Sequence, residues 1–308
     1  MKKLLFSLLC ITVLMTCILC PRAYAADALD PNEKASLTLY YRKDGNSFEG
    51  LAVSIYRVAE ALPDGTFELI EPYSTYPISI HGVTSQEQWR NIASTVGAYA
   101  TADGVEPYRT CLTGIDGSAA FEELETGLYL VCEVIASNNY GTYIFNEFMV
   151  YLPTPSEDAS YDYDVEAIPK CTSYAPRTEY VVTKLWQDLG NESDRPKQIT
   201  VNIYKNGEFV ENRVLDADNN WSYTWRVSAD DYGIWTVVES SVPSGYTVTV
   251  RKNGACFSII NNHKDNSYVP DSPQTGDSFN VLPYVTVAAV SGIMMVAVGL
   301  RGRRQREA

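Results

Sequence analysis

The chain has 308 residues, of which 45% are hydrophobic and 20% charged, and its formal net charge is −14. So acidic a chain repels nucleic acid and anionic lipid, and no Lys/Arg cluster in its body offers an exception. Its two histidines, His81 and His263, and its seven cysteines have no metal-ligand spacing, so no metal or other cofactor is expected. No nucleophilic triad or phosphate loop stands out, which argues against an enzyme.

The first segment is an export device. Lys2 and Lys3 precede an apolar run from Leu4 to Leu19, and Ala23-Tyr24-Ala25 is a small-x-small cleavage site. Residues 1–25 therefore read as a secretory signal peptide, with the mature chain starting at Ala26. Cys20 follows Ile18-Leu19, which is not a lipobox, so ordinary cleavage is expected rather than lipidation. Cys111, Cys132, Cys171 and Cys256 remain after cleavage. Outside the cell a disulfide is permitted, but four cysteines allow three pairings, and free buried thiols fit at least as well.

From about residue 33 to 172 the pattern is mostly strands. Ser36 to Tyr41 is rich in strand formers, and Asp44-Gly45 turns the chain. Leu51 to Val58 alternates with period two, as a half-buried strand does. Thr66 to Ile70, Gly127 to Val134, Phe148 to Leu152 and Tyr163 to Lys170 read as further strands, with turns at Asp64-Gly65 and Asp116-Gly117. One insertion is helical. Ser85 can cap it with Gln88 three residues on, and Trp89, Ile92, Ala93 and Val96 share a face. Many short strands joined by glycine turns argue a β-sandwich.

Residues 173–177 read as a linker, and residues 178–264 as a second all-β block without a helix. Ile199 to Tyr204 alternates, and Asn206-Gly207 is a strong hairpin signal. Trp221 to Trp225 and Trp235 to Glu239 are strands. Asn253-Gly254 is expected to turn between Tyr246–Val250 and Cys256–Ile260. About 90 residues suffice for one sandwich domain.

This second block resembles the collagen-adhesin B-type domain. The resemblance is carried by Val182-Thr183-Lys184-Leu185-Trp186, Arg195-Pro196-Lys197, Asn219-Asn220-Trp221-Ser222-Tyr223, Trp235 to Glu239, Pro243-Ser244-Gly245-Tyr246 and Phe257 to Asn261. It implies an intramolecular isopeptide bond between Lys184 and Asn261 beside a buried acid, Glu239. Asn262 adjoins Asn261, but Asn261 fits the alternation better. The chemistry is coherent. Burial favours a neutral lysine amine and a neutral carboxylic acid, and the acid can polarise the Asn261 carbonyl. The reaction occurs once per molecule.

The first block resembles the prealbumin-like domain of pilin and related surface proteins, with Tyr129-Leu130-Val131-Cys132-Glu133 matching the Glu-bearing strand. Tyr41 sits where the bond-forming lysine would be and Cys171 where the asparagine would be. No isopeptide bond is expected there, Glu133 is a hydrogen-bonded relic or simply exposed, and Cys171 is a candidate for a replacement disulfide. Ala167-Ile168-Pro169-Lys170 resembles the pilin motif whose lysine a sortase joins to the next subunit. Only Pro-Lys is kept, and an exposed junction lysine is the preferred reading of Lys170. Two tandem immunoglobulin-like or prealbumin-like β-sandwiches are therefore expected.

The chain ends on Ser272-Pro273-Gln274-Thr275-Gly276, an apolar run from Val281 to Leu300, and a basic tail at 301–308. About 20 apolar residues at 1.5 Å each cross a hydrocarbon core of about 30 Å, and the arginines would stay in the cytoplasm. In that order the three parts resemble the cell-wall sorting signal of Gram-positive surface proteins, with Ser272 where leucine is usual. The resemblance implies a sortase that cleaves after Thr275 and passes its carbonyl to a peptidoglycan amino group. Together these readings give a secreted, wall-anchored stalk or adhesion module with an unknown ligand. The alternative is a sortase-polymerised pilin subunit using Lys170.

Overall fold

The computed structural model describes residues 29–139, 141–156, 160–173, 179–228 and 233–264, all within one compact unit. The leader, the pentapeptide 272–276, the apolar run 281–300 and the tail lie outside the described residues. Among the described residues no helix is long and apolar enough to cross a membrane.

The first domain packs two sheets face to face. One has the order Asp164–Ala167, Ala35–Tyr40, Ser118–Leu124. The other runs Phe148–Leu152, Gly127–Val131, Ala52–Ala61, Phe67–Leu69, with Arg109–Leu112 also on Ala52–Ala61. Leu37, Leu39, Tyr41, Val53, Ile55, Phe121, Tyr129 and Phe145 fill the core between them. The strand expected over 127–134 breaks at Cys132-Glu133. Val134–Asn138 then joins Gly141–Phe145 and Cys171–Ser173 in a third, small sheet.

Gly127–Val131 is buried at every position. Tyr129 and Val131 face the sandwich core, whereas Leu128 and Leu130 face away from it and are covered by the helical insertion and its surroundings. That insertion is α1, Gln86–Ala102, opened by a capping box between Ser85 and Gln88. The two residues satisfy each other's otherwise orphaned main-chain N–H groups.

The second domain is a two-sheet sandwich. One sheet has the order Ser222–Arg226, Glu179–Gln187, Cys256–His263, Tyr246–Asn253. The other has the order Glu208–Asp216, Gln198–Lys205, Trp235–Glu239. The first and last strands, Glu179–Gln187 and Cys256–His263, lie side by side and parallel, with Lys184 opposite Ile259 and Trp186 opposite Asn261. At Asn206-Gly207 both residues take positive φ, 51° and 84°, as a tight hairpin requires. At the last hairpin the expectation shifts by one residue. Asn253 is still paired, to Cys256, and the turn is Gly254-Ala255. A short 3-10 turn, Glu192–Asp194, is a helical element the sequence reading did not expect in this block.

The two domains share a joint built on α1. Its Ala93, Val96 and Ala100 pack with Val58, Tyr73, Tyr76 and Leu130 of the first domain. Its opposite stripe carries Ala98, Tyr99 and Ala102 into the core of the second domain. Beside that contact, Lys252 Nζ donates to both Glu133 oxygens at 2.9 and 3.0 Å. Glu133 shares a hydrogen bond with Glu147, which accepts from Ser94 Oγ at 2.5 Å. Glu133 is thus hydrogen-bonded, to Lys252 of the neighbouring domain as well as to Glu147 of its own.

One ammonium serves two carboxyls in this joint. Burial, opposed by Lys252 and aided by Glu147, pushes the Glu133 carboxyl up to about 7. Glu147 is held low, by Lys252 and by Ser94, against its own burial. A carboxyl raised in the folded state favours folding fully below its unfolded value and loses that advantage as pH rises through the folded one. The expected outcome is a fall in melting temperature of several degrees between pH 5.5 and 8.5 that Glu133→Gln abolishes. Differential scanning calorimetry of both proteins across that range checks it. An unchanged pH slope in Glu133→Gln rejects the assignment.

Candidate functional site: a buried amine, acid and carboxamide

Alternation on three strands aims three polar side chains into the second core. Lys184 is 3%, Glu239 1% and Asn261 0% exposed. Lys184 and Asn261 lie on adjoining strands of one sheet, and Glu239 ends Trp235–Glu239 of the facing sheet, opposite Val201. Glu239 therefore spans the sandwich. Its Oε2 lies 3.8 Å from Lys184 Nζ, and its Oε1 accepts from Asn261 Nδ2 at 3.2 Å. Lys184 Nζ also donates to the main-chain oxygens of Leu185 at 3.0 Å and Ile259 at 3.4 Å, and sits 4.1 Å from the centre of the Trp186 ring. Asn262 points the other way and donates to Thr249 Oγ1 at 3.1 Å.

Burial sets the protonation here. It brings Lys184 down to about 7 against the attraction of Glu239, and it raises Glu239 against the attraction of Lys184. Both shifts favour the neutral pair, a free amine beside a carboxylic acid. Glu239 Oε2 and Asn261 Oδ1 have no hydrogen-bond partner in the dry core. Two such atoms are costly to bury. The sequence reading expects the acid to face the Asn261 carbonyl, yet the amide nitrogen faces it. A half-turn of the carboxamide about its last bond exchanges the two atoms.

A second polar group braces the same end of the sandwich. Asp188, 2% exposed, accepts from Arg195 Nε at 2.7 Å and Tyr246 Oη at 3.0 Å. Arg195 holds its carboxyl below the ordinary range. Trp186 packs edge-on against Trp221 and Tyr246, so the ring over Lys184 is itself fixed. Arg195 and Tyr246 stand out in the sequence only as positions matching the B-type domain, and Asp188 does not stand out at all. A lone aspartate after a strand gives no signal of burial.

In the first domain the corresponding place holds no such group. Tyr41 is fully buried with its ring edge on Phe145 at 4.9 Å, and Cys171 packs against the same core. Cys111, Cys132, Cys171 and Cys256 are all free, so no disulfide replaces the staple. Lys170 is exposed and lines a cavity of about 360 Å³ that Lys252 and Trp235 of the second domain also line. Among the described residues no cluster of His, Cys, Asp and Glu could hold a metal ion.

Fold and site define an all-β sandwich with an amine, an acid and a carboxamide buried together in its core. Residues 180–262 match the family model of the Cna protein B-type domain. A collagen adhesin of Staphylococcus aureus is 31% identical over 129 residues, which are 39% of this chain and 11% of the adhesin. The chain thus spans about a tenth of the length of that relative. A single B repeat unit of the S. aureus collagen-binding surface protein aligns at 17% identity with a TM-score of 0.26, covering 75% of this chain and 99% of the repeat. The full-length major pilin SpaD of Corynebacterium diphtheriae aligns at 11% identity with a TM-score of 0.27, covering 76% of this chain and 98% of the pilin.

Proposed function

We propose that this chain is a Gram-positive surface protein of the adhesin or pilin-like kind, whose second domain staples itself with an isopeptide bond from Lys184 to Asn261. The observation that carries the reading is the buried trio, one member on each of the first and last strands of the domain and the third facing them across the core. The Lys184 amine attacks Asn261 Cγ, forming the Nζ–Cγ bond. Glu239 takes a proton from Nζ and gives one to Nδ2. The Cγ–Nδ2 bond breaks, ammonia leaves, and Glu239 ends as it began. The fold supplies the effective concentration that makes amide exchange feasible. No substrate turns over, so the protein is not an enzyme.

The staple joins the two strands that enter and leave the domain, so a pull on the chain meets a covalent bond early. That property suits a stalk held under load. The export signal at 1–25 and the Ser272 to Gly276 motif with its apolar run support attachment by a sortase to a peptidoglycan amino group, through the Thr275 carbonyl. Exposed Lys170 keeps the polymerising-pilin reading as the second one.

A blot of wall extracts from the native host, with antibody to residues 178–264, tests anchoring. A single species freed by wall hydrolase and not by detergent is expected. A ladder of heavy species that vanishes in Lys170→Ala would make the chain a pilin subunit instead, and release by detergent alone would reject wall attachment.

A further inference from the structure

The last strand pair of the second domain ends in an open edge, Tyr246–Asn253. Such an edge leaves main-chain N–H groups seeking partners. Here the first domain supplies them. Val248 N donates to Pro77 O at 2.8 Å, and Val250 N donates to Thr95 Oγ1 of α1 at 2.8 Å. Val248 is the register partner of Asn261. On the other sheet, Tyr99 Oη of α1 donates to the main-chain oxygen of Glu239 at 3.4 Å. The acid's backbone is thus held by Val201 on one side and by Tyr99 on the other. Ala98, 3% exposed, and Tyr99 and Ala102 pack into the hydrophobic core of the same domain.

We infer that α1 of the first domain completes the reactive site of the second, with Tyr99 as a positioning residue, so that the isopeptide bond forms in the docked two-domain body. This rests on the Lys184–Asn261 reading above. Two physical requirements meet at this contact: the acid must sit within reach of both partners, and the strand pair bearing Asn261 must not slide. Displacement of a reacting group by about 1 Å costs on the order of a hundredfold in rate. Tyr99 and Pro77 restrain the backbones next to two of the three reacting residues.

The test uses the mature two-domain chain, sampled by intact mass at intervals after a pulse of synthesis. Wild type should lose one ammonia. Tyr99→Phe, which keeps the ring, should slow that loss about fivefold, the worth of one ordinary hydrogen bond. Tyr99→Ala should slow it further, with Tyr99→Phe partly restoring the rate. Ala98→Glu, which wedges the joint, should accumulate chains at full mass. Ile203→Val, a core change that leaves every hydrogen bond of α1 to the second domain in place, should leave the rate as in wild type and so separates positioning from general destabilisation. Should Ala98→Glu fail to fold, Tyr99→Phe carries the test alone. Equal rates of ammonia loss in wild type, Tyr99→Phe and Tyr99→Ala would overturn the inference, as would slowing by Ile203→Val equal to that by Tyr99→Ala. A wild type at full mass would instead reject the isopeptide reading on which it rests.

Discussion

Intact-mass spectrometry of the mature two-domain chain should find it lighter than its sequence by one ammonia, and Lys184→Ala should restore the full mass. Glu239→Gln should do the same, because it removes the group that moves the protons. The thermal consequence is large. The bond closes a loop from Lys184 to Asn261, and removing that much loop-closure entropy from the unfolded chain is worth about 4–5 kcal/mol. For a body of this size that corresponds to a melting temperature lower by about 10–20 °C in Lys184→Ala. Asn261→Ala separates the staple from the buried charge. It leaves Lys184 and Glu239 at their 3.8 Å separation and removes the electrophile together with its hydrogen bond to Glu239 Oε1. Its melting temperature should drop by a similar amount. A wild-type chain at full mass, or variants that melt with it, would dispose of the bond.

Lys252→Met should be the most damaging single change in the domain joint. The lysine side chain is 20% exposed and that of Glu133 10%, so neither is rescued well by water. Removing the ammonium leaves Glu133 and Glu147 facing one another, and breaking a buried pair this way costs about 3–5 kcal/mol. The sign with pH is set by the same carboxyls. At low pH the two can share a proton and the loss should shrink, whereas at pH 8 both are driven to ionise and it should be greatest. Chemical denaturation at pH 5 and pH 8 reads this directly. Adding Glu133→Gln to Lys252→Met should recover most of the loss, because one carboxyl is then gone. A loss independent of pH, or no recovery in the double variant, would show that Lys252 acts only through packing.

The two predictions draw on features with very different visibility in the sequence. Strand alternation at Ile199–Tyr204, the Asn206-Gly207 hairpin and the Ser85–Gln88 cap are local, and each takes its expected form because a few adjacent residues decide it. The buried trio was legible for a different reason. Lys184, Glu239 and Asn261 sit in strand patterns whose period says which side chains point inward, and the resemblance said which strands adjoin. By the same period, Asn262 faces outward.

The break at Cys132-Glu133 hid in a continuous apolar run, because a strand buried on both faces has no alternation to interrupt. The second face of α1 was hidden too. Thr95, Ala98 and Ala102 repeat at helical spacing, but small residues carry little hydrophobic signal, and their smallness is what lets an edge strand approach. Asp188 and Lys252 look like solvent-facing charges until Arg195, Tyr246, Glu133 and Glu147 are brought to them from far along the chain.

The sequence by itself determined the all-β class, the two sandwich blocks and the candidate trio, because composition, period and motif are local properties. Only the tertiary structure decided that one helix belongs to both cores and that Glu133 serves the joint rather than a staple. Those outcomes depend on desolvation and on partners from another domain, and burial of a charge is a property of the assembled body, not of any stretch of chain.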